Sequence, residues 1–206
     1  MDRTRFLRLW TTLFDNQAAF DAQTVWVHIA THYAGEGRFY HNQDHIGFCL
    51  QQLDKISSRL GSPAEVEMAL WFHDVIYRIN SDSNEADSAN FFCQLVGTSS
   101  DCLQRRDRIA ELIMDTTHQN PPASQDGCYL ADIDLSSLGR PWEAFLQDSR
   151  NVRRESPHLS DEDYNAAQRK FFQMLLSRPH LFHTQHFRDH LEQQARYNLT
   201  RVLSAS

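Results

Sequence analysis

The stretch "ALWFHDVIYRINSDSNEADSA" (residues 69–89) sets an imidazole and a carboxylate, His73 and Asp74, side by side within an apolar run over 69–77. An ionised carboxylate left unpaired in a buried run costs several kcal/mol, comparable to what one domain has to spare. Either the run is exposed or something specific holds the acid. Pro63 stands where the first turn of a helix tolerates proline, so a helix carrying His73 and Asp74 is expected from there. Asp82, followed three residues on by Glu85, reads as an N-cap with its capping glutamate. It would open a further helix through Ala89, Phe92 and Val96.

Helical spacing continues on both sides. Phe6, Leu7, Trp10, Leu13 and Phe14 form one apolar stripe; Phe20, Val25, Trp26, Ile29 and Tyr33 form a second. "GEGRFYHN" (35–42) interrupts the pattern before a helix carrying Ile46, Leu50, Leu53 and Ile56 and ending at Gly61. A long helix is expected over about 101–117, stopped by "NPP" (120–122). The segment "DIDLSSLG" (132–139) reads as short, with a helix after Pro141. Ser160 with Asp163 is another capping pair, starting a helix through Phe171, Phe172 and Leu175, and a last helix covers about 184–203. Strand alternation is absent and the chain holds only 7 glycines. The expected fold class is all-α, a single domain over 1–206 of roughly eight to ten helices.

Composition narrows the function. In 206 residues, 41% hydrophobic and 11% aromatic content is that of a globular chain with a sizeable core. A net charge of −7 argues against nucleic acid as the partner. Lys55 and Lys170 are the only lysines, so any phosphate-holding cation would be a guanidinium fork. Cys49, Cys93, Cys102 and Cys128 are scattered without a C-x-x-C pair and read as reduced thiols. No apolar stretch reaches membrane-spanning length and Met1 leads into charged residues, so a soluble, cytoplasmic protein is expected.

Four features place imidazoles or acids at helix ends or inside apolar runs: His41 and His45 in "YHNQDH" (40–45), His73 with Asp74, His118 closing "IAELIMDTTH" (109–118), and Asp132 and Asp134 in "LADIDLSSLG" (130–139). Singly, each has an ordinary explanation. A lone histidine on an apolar helix is most often a hydrogen-bonded core residue, and Asp134 suits a helix N-cap. His41 and His45 lie one turn apart on a helix face, yet no glutamate stands between them as in H-E-x-x-H. Together they say more. Adjacent residues on a helix point about 100° apart, so His73 and Asp74 can both reach one ion at the edge between them. Two imidazoles and two carboxylates make a mixed nitrogen–oxygen site for a divalent metal, with positions left for water.

The chain resembles the HD superfamily of metal-dependent phosphohydrolases, whose signature is an H…HD…D order in an all-helical chain. Its details are similar to a bacterial branch of predicted HD phosphohydrolases of largely unknown substrate. The segments that carry the likeness are "RFYHNQDH" (38–45), "ALWFHDVIY" (69–77), "SNEADSA" (83–89), "TTHQ" (116–119), "DIDLSSLG" (132–139), "VRRE" (152–155) and "ARYNL" (195–199), spread over nearly the whole chain. The resemblance implies an HD-type metal-site core at about 38–140 with C-terminal helices at about 141–206. It also implies that His45, His73, Asp74 and a later aspartate ligate a divalent ion (Mn, Co, Ni, Mg, Fe or Zn). Asp134, directly before the leucine segment, is favoured, with Asp132 as the alternative fourth ligand.

In that reading Asp74 both binds metal and orients the attacking water. Glu85 is a water-positioning carboxylate, unless it is merely the capping glutamate. His118 donates a proton or binds phosphate, unless it is a core imidazole. Arg38, Arg153 and Arg154 hold the substrate phosphate, although Arg153 and Arg154 equally suit a solvated helix face; Arg78 is a lesser candidate. Asn42 caps the His45 helix. His180, His183, His186 and His190 suit a partly exposed histidine-rich face better than a second metal site, and the Phe171, Phe172, Leu175 stripe suits core packing.

The expected function is hydrolysis of a phosphomonoester or phosphoanhydride of a small molecule, a nucleotide among the candidates, by a metal-activated water. The alternatives are a catalytically silent metal- or nucleotide-binding module that acts through a protein partner, and a structural helical domain with incidental histidines. The expected partner is a small phosphorylated substrate, with neither nucleic acid nor membrane and with a homodimer left open.

Overall fold

Helix α1 (Arg3–Phe14) begins at Asp2, whose carboxylate accepts the Arg5 N–H, and buries Phe6, Trp10 and Phe14 at four-residue spacing. The computed structural model, which describes residues 1–79 and 81–205, packs α2 (Ala22–Tyr33) against it through Val25, Ile29 and Tyr33. Phe20, read as part of that second stripe, precedes the helix and is exposed. α3 (Gln43–Ile56) is capped by Asn42, which accepts the Asp44 N–H and donates to the Arg38 carbonyl. α4 (Pro63–Phe72) is buried throughout Met68–Phe72 because α1, α3, α6 and α7 surround it, which explains why its sequence is apolar on every side.

α5 (Asn84–Val96) packs on α6 (Ser100–Asp115), and Phe92 of α5 meets Phe72 at 4.9 Å between ring centroids. Phe6, Trp10, Trp71 and Phe72 complete this aromatic centre. α7 (Gln125–Leu135) starts at Ser124 and runs into a 3₁₀ turn, Ser136–Gly139. Three helices follow: α8 (Trp142–Arg154), α9 (Asp161–Leu176) and α10 (Gln185–Ala205). α10 lies against the 3₁₀ turn so closely that a Cβ on Gly139 would stand 2.7 Å from the Leu191 Cβ. Buried Asn198 of α10 donates to the carbonyls of Leu138 and Arg140, both at 2.8 Å. The last helix thereby braces the segment into which α7 ends.

Ten α-helices and no strand occur among the described residues, so the chain is all-α. No helix among them is long and apolar enough to cross a membrane, and none of the four cysteines is in a disulfide.

Several local expectations are corrected. α4 stops at Phe72; His73 is its C-cap and Asp74 lies beyond it in a turn. The helix cannot continue because side chains take its backbone groups: Arg38 donates to the carbonyls of Asp74 and Val75, while the Ile76 N–H donates to Ser88 Oγ. α5 begins after Ser83, whose hydroxyl bonds Asp87, so Asp82 is not its cap. His41 stands before the N-cap of α3 rather than on its face. The "DIDLSSLG" segment is not short: its first residues complete α7. The Ser160 cap, accepting the Asp163 N–H, is as expected.

Candidate metal centre

Three elements bring four side chains to one point. His45 comes from the first turn of α3, His73 and Asp74 from the end of α4, and Asp134 from the last turn of α7. The Nε2 atoms of His45 and His73 are 3.2 Å apart. Asp74 Oδ2 lies 3.5 Å from the first and 3.0 Å from the second; Asp134 Oδ1 lies 3.2 and 3.4 Å from them. Both imidazoles thus touch both carboxylates. The imidazoles are sealed, with side chains 2% and 1% exposed, whereas Asp74 and Asp134 keep 11% and 17% and present an edge outward.

This donor set fits a divalent cation. His73 Nδ1 donates to the Leu70 carbonyl at 2.9 Å, which leaves the Nε2 lone pair aimed at the cluster. A second ring nitrogen and two carboxylate oxygens face the same point, and acceptors crowded together without a positive charge repel one another. Neighbouring ligands of an ion held at about 2.1 Å stand about 3.0–3.4 Å apart, close to the spacing seen. The imidazoles and carboxylates also act on one another's proton affinity. Burial alone would depress His73, but Asp74 and Asp134 push its pKa well above the usual imidazole value. Burial would likewise raise Asp74, but His73, His41 and His45 hold it low. Groups of buried His, Asp and Cys side chains able to hold a metal ion, His45/His73/Asp74 and His45/Cys49/Asp134, are therefore present. Cys49, one turn along α3, brings its thiol within 3.7 Å of His45 Nε2, and burial keeps that thiol protonated.

His118 reaches the centre through Asp134: its Nε2 lies 2.8 Å from Asp134 Oδ2 and so leaves Oδ1 to the imidazoles. It holds a left-handed backbone with φ +54°, a strain of about 1–2 kcal/mol in a residue with a side chain. Arg178 fixes it by donating to the His118 carbonyl at 2.6 Å. The other ring nitrogen, Nδ1, is buried without a hydrogen-bond partner.

A cavity of about 440 Å³ opens over the two carboxylates, and Glu85, His41 and His118 also line it. Burial first, then Asp74 and Asp134, pushes the Glu85 carboxyl up. His41 is anchored from behind. Its Nδ1 lies 2.6 Å from Oε2 of fully buried Glu155, whose Oε1 accepts the N–H groups of Tyr40 and His41. Burial would lower His41, but Asp74 and the hydrogen-bonded Glu155 raise it.

Other expected site residues stand elsewhere. Asp132 is on the opposite side of α7, with both oxygens bound to the N–H groups of His183 and Thr184 and to the Thr184 hydroxyl, so it anchors the entry to α10 and not the ion site. Arg38 does not face the cavity: it donates to the carbonyls of His41, Asp74 and Val75 and stacks between Tyr33 and Tyr77. Arg153 is bound to Asp161 and to the carbonyls of Ser156 and Leu159, and exposed Arg154 covers the Phe39 ring at 3.7 Å. Arg38 and Arg153 are taken up by turn carbonyls that no helix satisfies, which a fork of five donors suits well, and Arg154 by an aromatic face. Arg78 pairs with Asp87 at the surface. His186 and His190 stack 4.5 Å apart along α10, away from the metal-holding groups found among the described residues.

Glu155 and the orienting role behind His41 were missed. Their only trace in the sequence was the acid ending "VRRE", 114 positions from its histidine. Comparison of the chain with protein-family models, with curated proteins and with solved structures finds no match in any of the three.

Proposed function

We propose that the chain is a metal-dependent phosphohydrolase of the HD type, acting on a small phosphorylated molecule. The observation that carries this reading is the convergence of His45, His73, Asp74 and Asp134 beneath an open cavity. His45 and His73 would hold the ion through Nε2, and Asp74 and Asp134 through one oxygen each. When bound, such an ion acidifies a water and offsets the charge of a phosphoryl group.

The chain's own groups supply the rest. Glu85, its carboxyl raised, takes the proton of the attacking water at a carboxylate oxygen. His41 has Nδ1 committed to Glu155, so its Nε2 is the atom that moves a proton to the leaving oxygen, while Glu155 stabilises the imidazolium. His118 is a positioning residue: its Nε2 fixes which oxygen of Asp134 turns to the imidazoles.

The test is phosphate release from a panel of phosphomonoesters and nucleotides with Mn, Co, Ni, Mg or Zn. The expected result is metal-dependent turnover that His73→Ala and Asp74→Asn each reduce by about a thousandfold or more. No turnover with any metal, or unchanged turnover in those variants, would overturn the reading.

A further inference from the structure

The chemistry of the cavity wall bears on which molecule the site accepts. The carboxylates Asp74, Glu85, Asp134 and Asp148 line the cavity, and the one cation the mechanism places there is the His41 imidazolium, held by Glu155. No lysine or arginine is among the described residues that line it. Arg38 and Arg153 are held by backbone carbonyls and Asp161, and Arg140 is paired with Asp148 at 2.7 Å. A bound divalent ion, its two charges met by Asp74 and Asp134, would coordinate one phosphoryl group. The His41 proton is committed to the leaving oxygen, and no lysine or arginine stands on the wall to balance a second phosphate or a carboxylate on the same substrate.

The wall facing the ion site is apolar, formed by Leu138, Phe145, Val152, Tyr164, Phe171 and Phe172. Most of the polar side chains beside it are already engaged, His118 Nδ1 being an exception. The Gln168 amide donates to Ser149 Oγ and the Tyr164 hydroxyl, Ser137 Oγ pairs with the Tyr40 hydroxyl at 2.7 Å, and the Thr116 hydroxyl donates to the Ile113 carbonyl. A polyhydroxylated leaving group would lose its water there and gain few partners. A cavity of about 440 Å³ lies within the range of small-molecule sites, about 300–1,000 Å³.

We propose that this cavity is the compartment for an uncharged, apolar or aryl alcohol, and that the substrate is the phosphomonoester of such an alcohol rather than a sugar phosphate or a nucleoside triphosphate. The proposal rests on the phosphohydrolase reading for its phosphoryl end and on the cavity alone for its alcohol end. In the reaction the oxygen of water forms a bond to phosphorus and the phosphorus–oxygen bond to the alcohol breaks. The proton lost by the water is matched by one delivered to the departing oxygen, so alcohol and inorganic phosphate are the products and no oxidant is needed.

Two measurements separate the two ends. Binding of 2-naphthol, which needs neither metal nor turnover, is measured by calorimetry to the wild type, to Phe171→Ala and to Ser149→Arg. Phe171 is partly exposed and outside the buried core cluster, so its truncation spares the core, and Ser149→Arg places a cation on the wall. Turnover of 2-naphthyl phosphate, glucose 6-phosphate and ATP is then compared in the Mn-loaded wild type. The expected results are binding weakened about tenfold in each variant and a kcat/KM for 2-naphthyl phosphate about a hundredfold above the other two. Absence of 2-naphthol binding, or equal binding by all three proteins, overturns the proposal. Turnover of glucose 6-phosphate or ATP as efficient as that of 2-naphthyl phosphate also overturns it and leaves the hydrolase reading standing. Binding that the variants weaken, with no ester cleaved, overturns the hydrolase reading and upholds the apolar compartment.

Discussion

Asp132 and Asp134 stand two residues apart on α7, about 200° apart around its axis, and their carboxylates serve opposite sides of it. Asp134 turns to the imidazoles, whereas Asp132 receives three donors from the entry to α10. Asp132→Asn should therefore cost about 1–3 kcal/mol in urea unfolding, since an amide accepts at one oxygen only, while leaving metal content intact. Loss of metal in that variant would contradict the division of roles. Asp115 gives a pH signature outside the site. Burial, with Glu111 beside it, lifts its carboxyl to about 6 from 3.8. The folded pKa exceeds the unfolded one, so the folded chain holds the proton more tightly and stability falls as pH rises from about 4 through about 6. The group is partly exposed, and screening limits the loss to about 1 kcal/mol. Asp115→Asn is expected to be that much more stable than the wild type at pH 8 and equal to it at pH 4. An equal gain at both values would assign the effect to something other than charge.

At the scale of elements, the turn after α4 is where the site is made. Arg38 holds the carbonyls of Asp74 and Val75, Ser88 of α5 takes the Ile76 N–H, and Asn84 brackets Arg78 with one bond to its N–H and one from its own amide to the carbonyl. Arg38→Ala should therefore lower Mn affinity about ten- to a hundredfold, read by calorimetry, by freeing the backbone that aims Asp74. Unchanged metal affinity with only a raised KM would instead mark Arg38 as a phosphate ligand.

This turn also shows how far the sequence could be read. His73 and Asp74 were legible because an acid and an imidazole inside "ALWFHDVIY" demand a partner, and most helices were legible from stripes and caps such as Ser160. α7 was not: Gly127 and three acids, Asp126, Asp132 and Asp134, blurred its period. With that helix unrecognised, its phase was unknown, and the choice between Asp132 and Asp134 had no basis in geometry. The arginines were misjudged for another reason. Their partners are turn carbonyls and a ring brought near by tertiary folding, as with Arg38 and Val75, 37 positions apart.

At the scale of the molecule, the helices divide the task. α1 and α2 with α4–α6 enclose the aromatic centre that makes α4 immovable, and α10 braces the turn into which α7 ends. The side chains able to hold an ion sit where three of these ends meet, so an ion bound there would couple to folding, and metal at a hundred times its Kd should add about 2.7 kcal/mol to stability. The most direct measurement is the metal content of the purified and Mn-reconstituted protein, by elemental analysis, in the wild type, His73→Ala, Asp134→Asn and Asp132→Asn. About one ion per chain or more is expected in the wild type and in Asp132→Asn, and little in His73→Ala or Asp134→Asn. A wild type that stays metal-free after reconstitution, or variants at His73 and Asp134 that retain the ion in full, would contradict the metal centre.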